Sequence, residues 1–235
     1  MKKCAAIGAM VTWMCLVSSA PGVIATIEAV GAAWDHPSGG FPHYIEFTTA
    51  TSPYGNQAQR QFRWGDPYTA AGKSWLGFTG VAAPSLAVGA DTPFPIGQLV
   101  HVNRPLVVPS ACQAVELALD VAFVDGPTAA LILQLTINET IGRGTRPKTD
   151  DFITLDGTQG PALIWIAGTQ YAFEVAGFGT RPGNITDAIR TPEDGQSTTT
   201  VWGILTIVPE PATCLLLGLG SLVLLRRRGF TLPSH

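Results

Sequence analysis

Between residues 115 and 137 the chain repeats with a period of two, and this constrains its fold more than any other feature. Val115, Leu117, Leu119, Val121 and Phe123 fall on one side, with Glu116, Ala118, Asp120 and Ala122 on the other. Asp125-Gly126-Pro127 interrupts the run as a turn. Leu131, Leu133, Leu135 and Ile137 then resume the apolar side, opposite Gln134, Thr136 and Asn138. Side chains alternate across a β-strand, so this is a hairpin with one face in a core. Tyr171, Phe173 and Val175 repeat the pattern after Ala167-Gly168-Thr169-Gln170, which joins them to Leu163-Ile164-Trp165-Ile166. Further strands are expected near Gln59–Trp64, Ser74–Thr79, Gln98–Val107 and Thr199–Ile207. No segment between the two ends shows a helical period. Residues 138–150 and 179–198 read as long polar loops. Many short strands with regular turns predict an all-β domain, an antiparallel sandwich or jelly roll.

Composition agrees with an exported β domain. The chain is 46% hydrophobic but only 13% charged, with 26 Gly and 18 Pro. That is too aliphatic for disorder. A formal net charge of −3 carries no basic footprint for nucleic acid. Of the four cysteines, Cys4, Cys15 and Cys214 fall in the end segments. Cys112 alone lies in the body, so no disulfide can form there and the domain depends on its core. Cys112 is expected to be buried and inert.

Both ends read as membrane-directed. Met1-Lys2-Lys3, an apolar stretch from Ala5 to Val17 and small residues up to Ala25 have the order of a secretory signal peptide. Cleavage is expected after Ala25, making residues 1–25 the signal. Thr12-Trp13-Met14 before Cys15 does not fit a lipobox. At the other end, Pro209-Glu210-Pro211 precedes an uncharged run from Ala212 to Leu225, then Arg226-Arg227-Arg228. As a helix, 212–225 would cover about 21 Å, short of a hydrocarbon core of ~30 Å. It would cross only with thinning or snorkelling, as a temporary anchor. The three arginines would stay cytoplasmic as topology determinants, leaving the body outside. Residues 26–207 are then the domain and 208–235 the anchor segment.

This terminal order resembles the PEP-CTERM sorting signal. The resemblance implies recognition by an exosortase, an integral-membrane protease-transpeptidase, through Pro209, Glu210 and Pro211. Two prolines would hold Glu210 on a stiff, extended stalk at the membrane face. Residues 229–235 extend beyond the arginines and depart from the pattern.

The body carries ordered short motifs. They are Phe62-Arg63-Trp64-Gly65-Asp66-Pro67, Leu76-Gly77-Phe78-Thr79-Gly80, Asp91-Thr92-Pro93-Phe94-Pro95-Ile96-Gly97-Gln98-Leu99 and Asn103-Arg104-Pro105-Leu106. Gly168-Thr169-Gln170-Tyr171, Gly177-Phe178-Gly179 and Glu193-Asp194-Gly195-Gln196 follow. In this order they are similar to the choice-of-anchor K domain, over roughly Trp34 to Ile207. That resemblance implies an exported β domain with a variable C-terminal anchor and no assigned catalytic residue. Read locally, Trp64-Gly65-Asp66-Pro67 ends a strand in a turn, Phe94 enters the core, and Gly177-Phe178-Gly179 lets the chain leave a sheet edge.

Candidates for chemistry are sparse. His36 and His43 with Asp35 could hold a metal, but their spacing matches no site and solvated loop residues are expected. His101 is the third histidine of the body. No His-Glu-x-x-His, Gly-x-Ser-x-Gly, phosphate loop or Cys-x-x-Cys occurs, so no catalytic residue, cofactor or metal is assigned. Asp150-Asp151 with Asp156 is the best carboxylate group. An odd spacing puts Asp151 and Asp156 on opposite faces of a strand, which counts against an acid–base pair, though a hydrolase or a calcium site there is open to test. Asn138-Glu139-Thr140 and Asn184-Ile185-Thr186 match the glycosylation sequon. Trp165 and Trp202 are expected in the core, whereas Trp34 and Trp75 are left open as sugar-stacking platforms. The reading is a non-enzymatic surface or extracellular-matrix protein, partnered by exosortase and, transiently, the membrane. The alternative is a carbohydrate-binding module for exopolysaccharide or wall glycan.

Overall fold

A computed structural model describes residues 25–52, 57–81, 86–107, 110–124, 126–139, 150–158 and 160–209. These form β1 (Ala25–Ser38), β2 (Glu46–Thr51), β3 (Ala58–Trp64), β4 (Ser74–Gly80), β5 (Leu86–Val88), β6 (Phe94–Val102) and β7 (Ala114–Phe123). They continue as β8 (Thr128–Asn138), β9 (Asp151–Thr158), β10 (Ala162–Ile166), β11 (Thr169–Gly179), β12 (Ile185–Thr186), β13 (Ala188–Thr191) and β14 (Gln196–Ile207). One 3₁₀ turn, Pro42–Tyr44, separates β1 from β2. The signal segment before Ala25 and the apolar run 212–225 lie outside the described residues. Among the described residues no helix is long and apolar enough to cross a membrane.

The strands pair antiparallel in two sheets. One runs β13-β9-β8-β7-β1-β5, the other β10-β11-β14-β6-β4-β3-β2, with β12 added beside β11. Alternation decides what each face buries. In β7 and β8 the odd-numbered positions are buried from Val115 to Phe123 and from Ala129 to Ile137. They meet Phe62, Leu76, Phe78, Ile96, Leu99, Phe173 and Val201 of the other sheet in one continuous core. Phe173 of β11 takes Phe94 at 5.9 Å in a stacked contact and the edge of Phe123 at 5.8 Å. Such pairs add about 0.5–1.5 kcal/mol beyond the area they bury.

Three expectations change on folding. Residues 25–38, for which no strand was expected, form the longest strand, an Ala-rich stretch interrupted by Glu28 and Asp35 without clean alternation. The polar span 179–198 is not a single loop: β13 pairs with β9, from Ala188↔Thr154 to Thr191↔Asp151. Gly177-Phe178-Gly179 does not leave a sheet edge. It is paired on both sides, with a bulge between Val175 and Gly177. Gly177 sits at φ +130°, and a Cβ there would lie 2.5 Å from the Thr186 carbonyl oxygen. Glycine is required because both the conformation and the space exclude a side chain.

Antiparallel register defines two ends. β1 finishes, β7 starts, β8 finishes and β9 starts at one end of the first sheet. β3 finishes, β4 starts, β6 finishes and β14 starts at the same end of the second. The opposite end holds Ala25, the start of β6, the β10–β11 turn and Ile207.

Candidate functional site

At the first end, polar side chains enter the core. Trp64, fully buried at the end of β3, donates its Nε1–H to Glu139 Oε1 at 2.6 Å. The Trp64 ring stacks on His101 of β6, centroids 5.9 Å apart and planes 11° from parallel. His101 Nδ1 meets Thr191 Oγ1 of β13 at 2.8 Å, tying the two sheets together. Its Nε2 is buried without a hydrogen-bond partner. Asn103 Nδ2 donates to the Thr191 carbonyl at 3.4 Å. Asp151, the cross-strand neighbour of Thr191, is buried as well. Asp66 N–H donates to Ser110 Oγ at 2.8 Å, closing the turn beyond Trp64.

Burial governs the electrostatics here. The Glu139 carboxyl is raised to about 8, first by desolvation and then by Asp151 and Glu193, against hydrogen bonds from Trp64 and Ser74. It therefore holds its proton at neutral pH. Desolvation lowers His101 to about 3, so its ring is neutral. A protonated carboxyl among carboxylates is a pattern shared by acid–base sites and structural knots. Among the described residues no three His, Cys, Asp or Glu side chains group to hold a metal.

The sequence-named carboxylates separate. Asp151 is inside, whereas Asp156 is exposed and bonded to Thr136. Asp150 pairs with Arg190 at the surface. Of this group Asp156 stands in solvent, Asp150 is partly covered and Asp151 is buried, so the three do not converge. Glu139, Glu193 and His101 were missed as a group because they lie far apart in sequence. Trp64 was read only as the end of a strand. His36 is exposed, with Nδ1 3.0 Å from Glu116. His43 packs against Tyr44, centroids 3.9 Å apart. Cys112 is buried, its thiol donating to Ser38 O at 3.1 Å, and burial pushes it up to about 11.

The tryptophans agree with the expectation at Trp202 and overturn it at Trp165. Trp202 is buried and donates to the Gly179 carbonyl at 2.9 Å. Trp165 is 55% exposed, not core, because its neighbours Ile164 and Ile166 take the inward positions of β10. Trp75 is half-buried. Trp34 is buried, its Nε1–H donating to Arg60 O at 2.8 Å. It forms the floor of an open groove of ≈ 370 Å³ walled by Phe47, Thr48, Thr49, Arg60 and Gln61.

Ala25 is buried at the start of β1, paired with Val88. Pro209 is exposed just after β14. Glu210, Pro211 and Arg226, Arg227 and Arg228 lie outside the described residues. Residues 208–228 match the PEP-CTERM protein-sorting motif. No curated protein matches the chain. The chain thus carries a sorting signal of the kind that exosortases recognise, joined directly to the last strand of an antiparallel β domain.

Proposed function

We propose that this is an exported, non-enzymatic surface or matrix protein, held briefly in the inner membrane and released or transferred by an exosortase acting at Pro209-Glu210-Pro211. The observation that carries it is the sorting motif at 208–228, beginning one residue after β14 ends at Ile207. The signal-like start and the short apolar run 212–225 support the same route. The likeness of the body to choice-of-anchor K domains supports a domain whose address lies in its tail. Intact mass by cell fraction tests this. A species from near Thr26 to near 209–211 is expected in the native host, and one retaining Arg226–Arg228 in an exosortase-deficient host. Retention of the tail in both would refute the processing step.

A second reading, carbohydrate binding, is favoured by the groove over Trp34. Phe47 offers a half-exposed ring, and Arg60, Gln61 and Thr48 offer polar atoms beside it. Stacking plus hydrogen bonds is the chemistry that holds a sugar. Titration of the protein against exopolysaccharide and wall glycans, with Phe47→Ala as control, tests it. Unchanged tryptophan emission throughout removes the motive.

A further inference from the structure

The β10–β11 edge of the second sheet presents an apolar outer face beside the point where the chain leaves the domain. Leu163 is 60% and Trp165 55% exposed, on the outward side of β10. Across the strands, Leu163 pairs with Ala172 and Trp165 with Gln170. Ala172 in turn pairs with Thr206, and Val208 N–H donates to Gln170 O at 2.9 Å. Leu163, Trp165, Gln170, Ala172, Thr206 and Val208 therefore share one face, on which the nearest charge is Glu174, two residues beyond Ala172 on β11. β10 is an edge strand, and an exposed aromatic and leucine on such an edge invite association unless something covers them.

The position of the tail says what covers them. Val208 is anchored to β11, and the apolar run starts four residues later at Ala212. Four extended residues span at most ~14 Å. Trp165 lies two strands from Val208, about 10 Å at the usual strand spacing. Tryptophan, with an apolar ring and one N–H donor, is the side chain best suited to a membrane–water interface. Ala25 starts β1 at this same end.

We propose that the outer face of β10, centred on Trp165 and Leu163, rests on the lipid headgroup region while the tail is in the bilayer. The inference rests on reading 212–225 as a membrane segment. It adds that the domain is docked in one orientation, on this face of the second sheet. Docking would hold Pro209 at a set height for the processing enzyme.

The test uses the tail-bearing chain recovered from an exosortase-deficient host, reconstituted in phosphatidylcholine vesicles with or without acyl-chain bromination. Bromine quenches tryptophans that reach the interface. Wild-type protein is expected to float with the vesicles and show a quenched component that Trp165→Phe abolishes without changing flotation. Flotation with equal fractional quenching in wild type and Trp165→Phe overturns the docking and leaves the anchor reading intact. Failure to float refutes the anchor reading and the docking with it. A tail-free dimer that Trp165→Phe turns into monomer would assign the face to a second copy and also overturn the proposal.

Discussion

The two ends of the β domain solve opposite problems. At one end, Trp64, His101, Glu139, Asp151 and Thr191 bring polar and ionisable groups into the space between the sheets. At the other, Phe94, Phe123 and Phe173 close the core without a charge, and Leu163 and Trp165 carry the apolar surface to the outside of β10. The polar end has specific geometry and opposed proton affinities, so it is sensitive to pH and to loss of any one partner. The apolar end depends on area alone, so its exposed members add little to stability in water. Conspicuous side chains at a surface and costly side chains in a core are therefore different sets.

Trp64→Ala is the severest way to test that contrast. It empties a fully buried indole site and leaves Glu139 Oε1 without its donor, so a loss of about 3–5 kcal/mol is expected in urea unfolding. Less than ~1 kcal/mol would mean the polar end is loosely packed.

The pH profile comes next. Glu139 binds its proton more tightly folded, at about 8, than its ordinary value of 4.5, so its contribution declines as pH rises between these values. His101 titrates at about 3 folded against 6.5, so its contribution declines as pH falls through that range. The opposing slopes cancel between about pH 4.5 and 6.5. A plateau is expected there, with stability falling above and below it, by roughly a few kcal/mol on each limb. Glu139→Gln should flatten the alkaline limb and extend the acid limb up to about pH 6.5, removing the plateau. A profile rising steadily from pH 5 to 8 would contradict the buried proton.

Gly177→Ala probes the bulge between these ends. At φ +130° and facing the Thr186 carbonyl, an alanine should cost more than ~1 kcal/mol and loosen β12 first, read by hydrogen exchange at Phe178 and Thr186. The smallest effect belongs to Trp165→Ser. Despite the size of the side chain, stability of the tail-free protein should change by no more than ~0.5 kcal/mol. A loss comparable to that of Trp64→Ala would erase the distinction between the ends.

Legibility in the sequence followed the same division. β7 and β8 could be read because every second residue is apolar for nine or more positions, and burial follows from strand geometry. β10 could be read as a strand but not oriented: Leu163-Ile164-Trp165-Ile166 is apolar at both parities, and only its register on β11 turns the odd ones outward. β1 was hidden because Ala and Gly on both faces leave no contrast. Asn138 and Glu139 looked like the start of a solvated loop, and nothing local distinguishes a buried glutamate from an exposed one. Glu139 became a strongly raised carboxyl because folding buries it beside Asp151 and Glu193, against a hydrogen bond from Trp64, 75 residues away.

By itself, the sequence determined what is local and linear: strands with alternating faces, a body without disulfides, and a terminal sorting motif whose residue order is its message. Tertiary structure alone decided which parity of β10 faces water, which carboxylate lost its solvent, and that Ala25 and Ile207 lie at one end of the domain. Those properties depend on pairing across sheets. Pairing is set by the summed burial of many side chains, and no short stretch of sequence contains that sum.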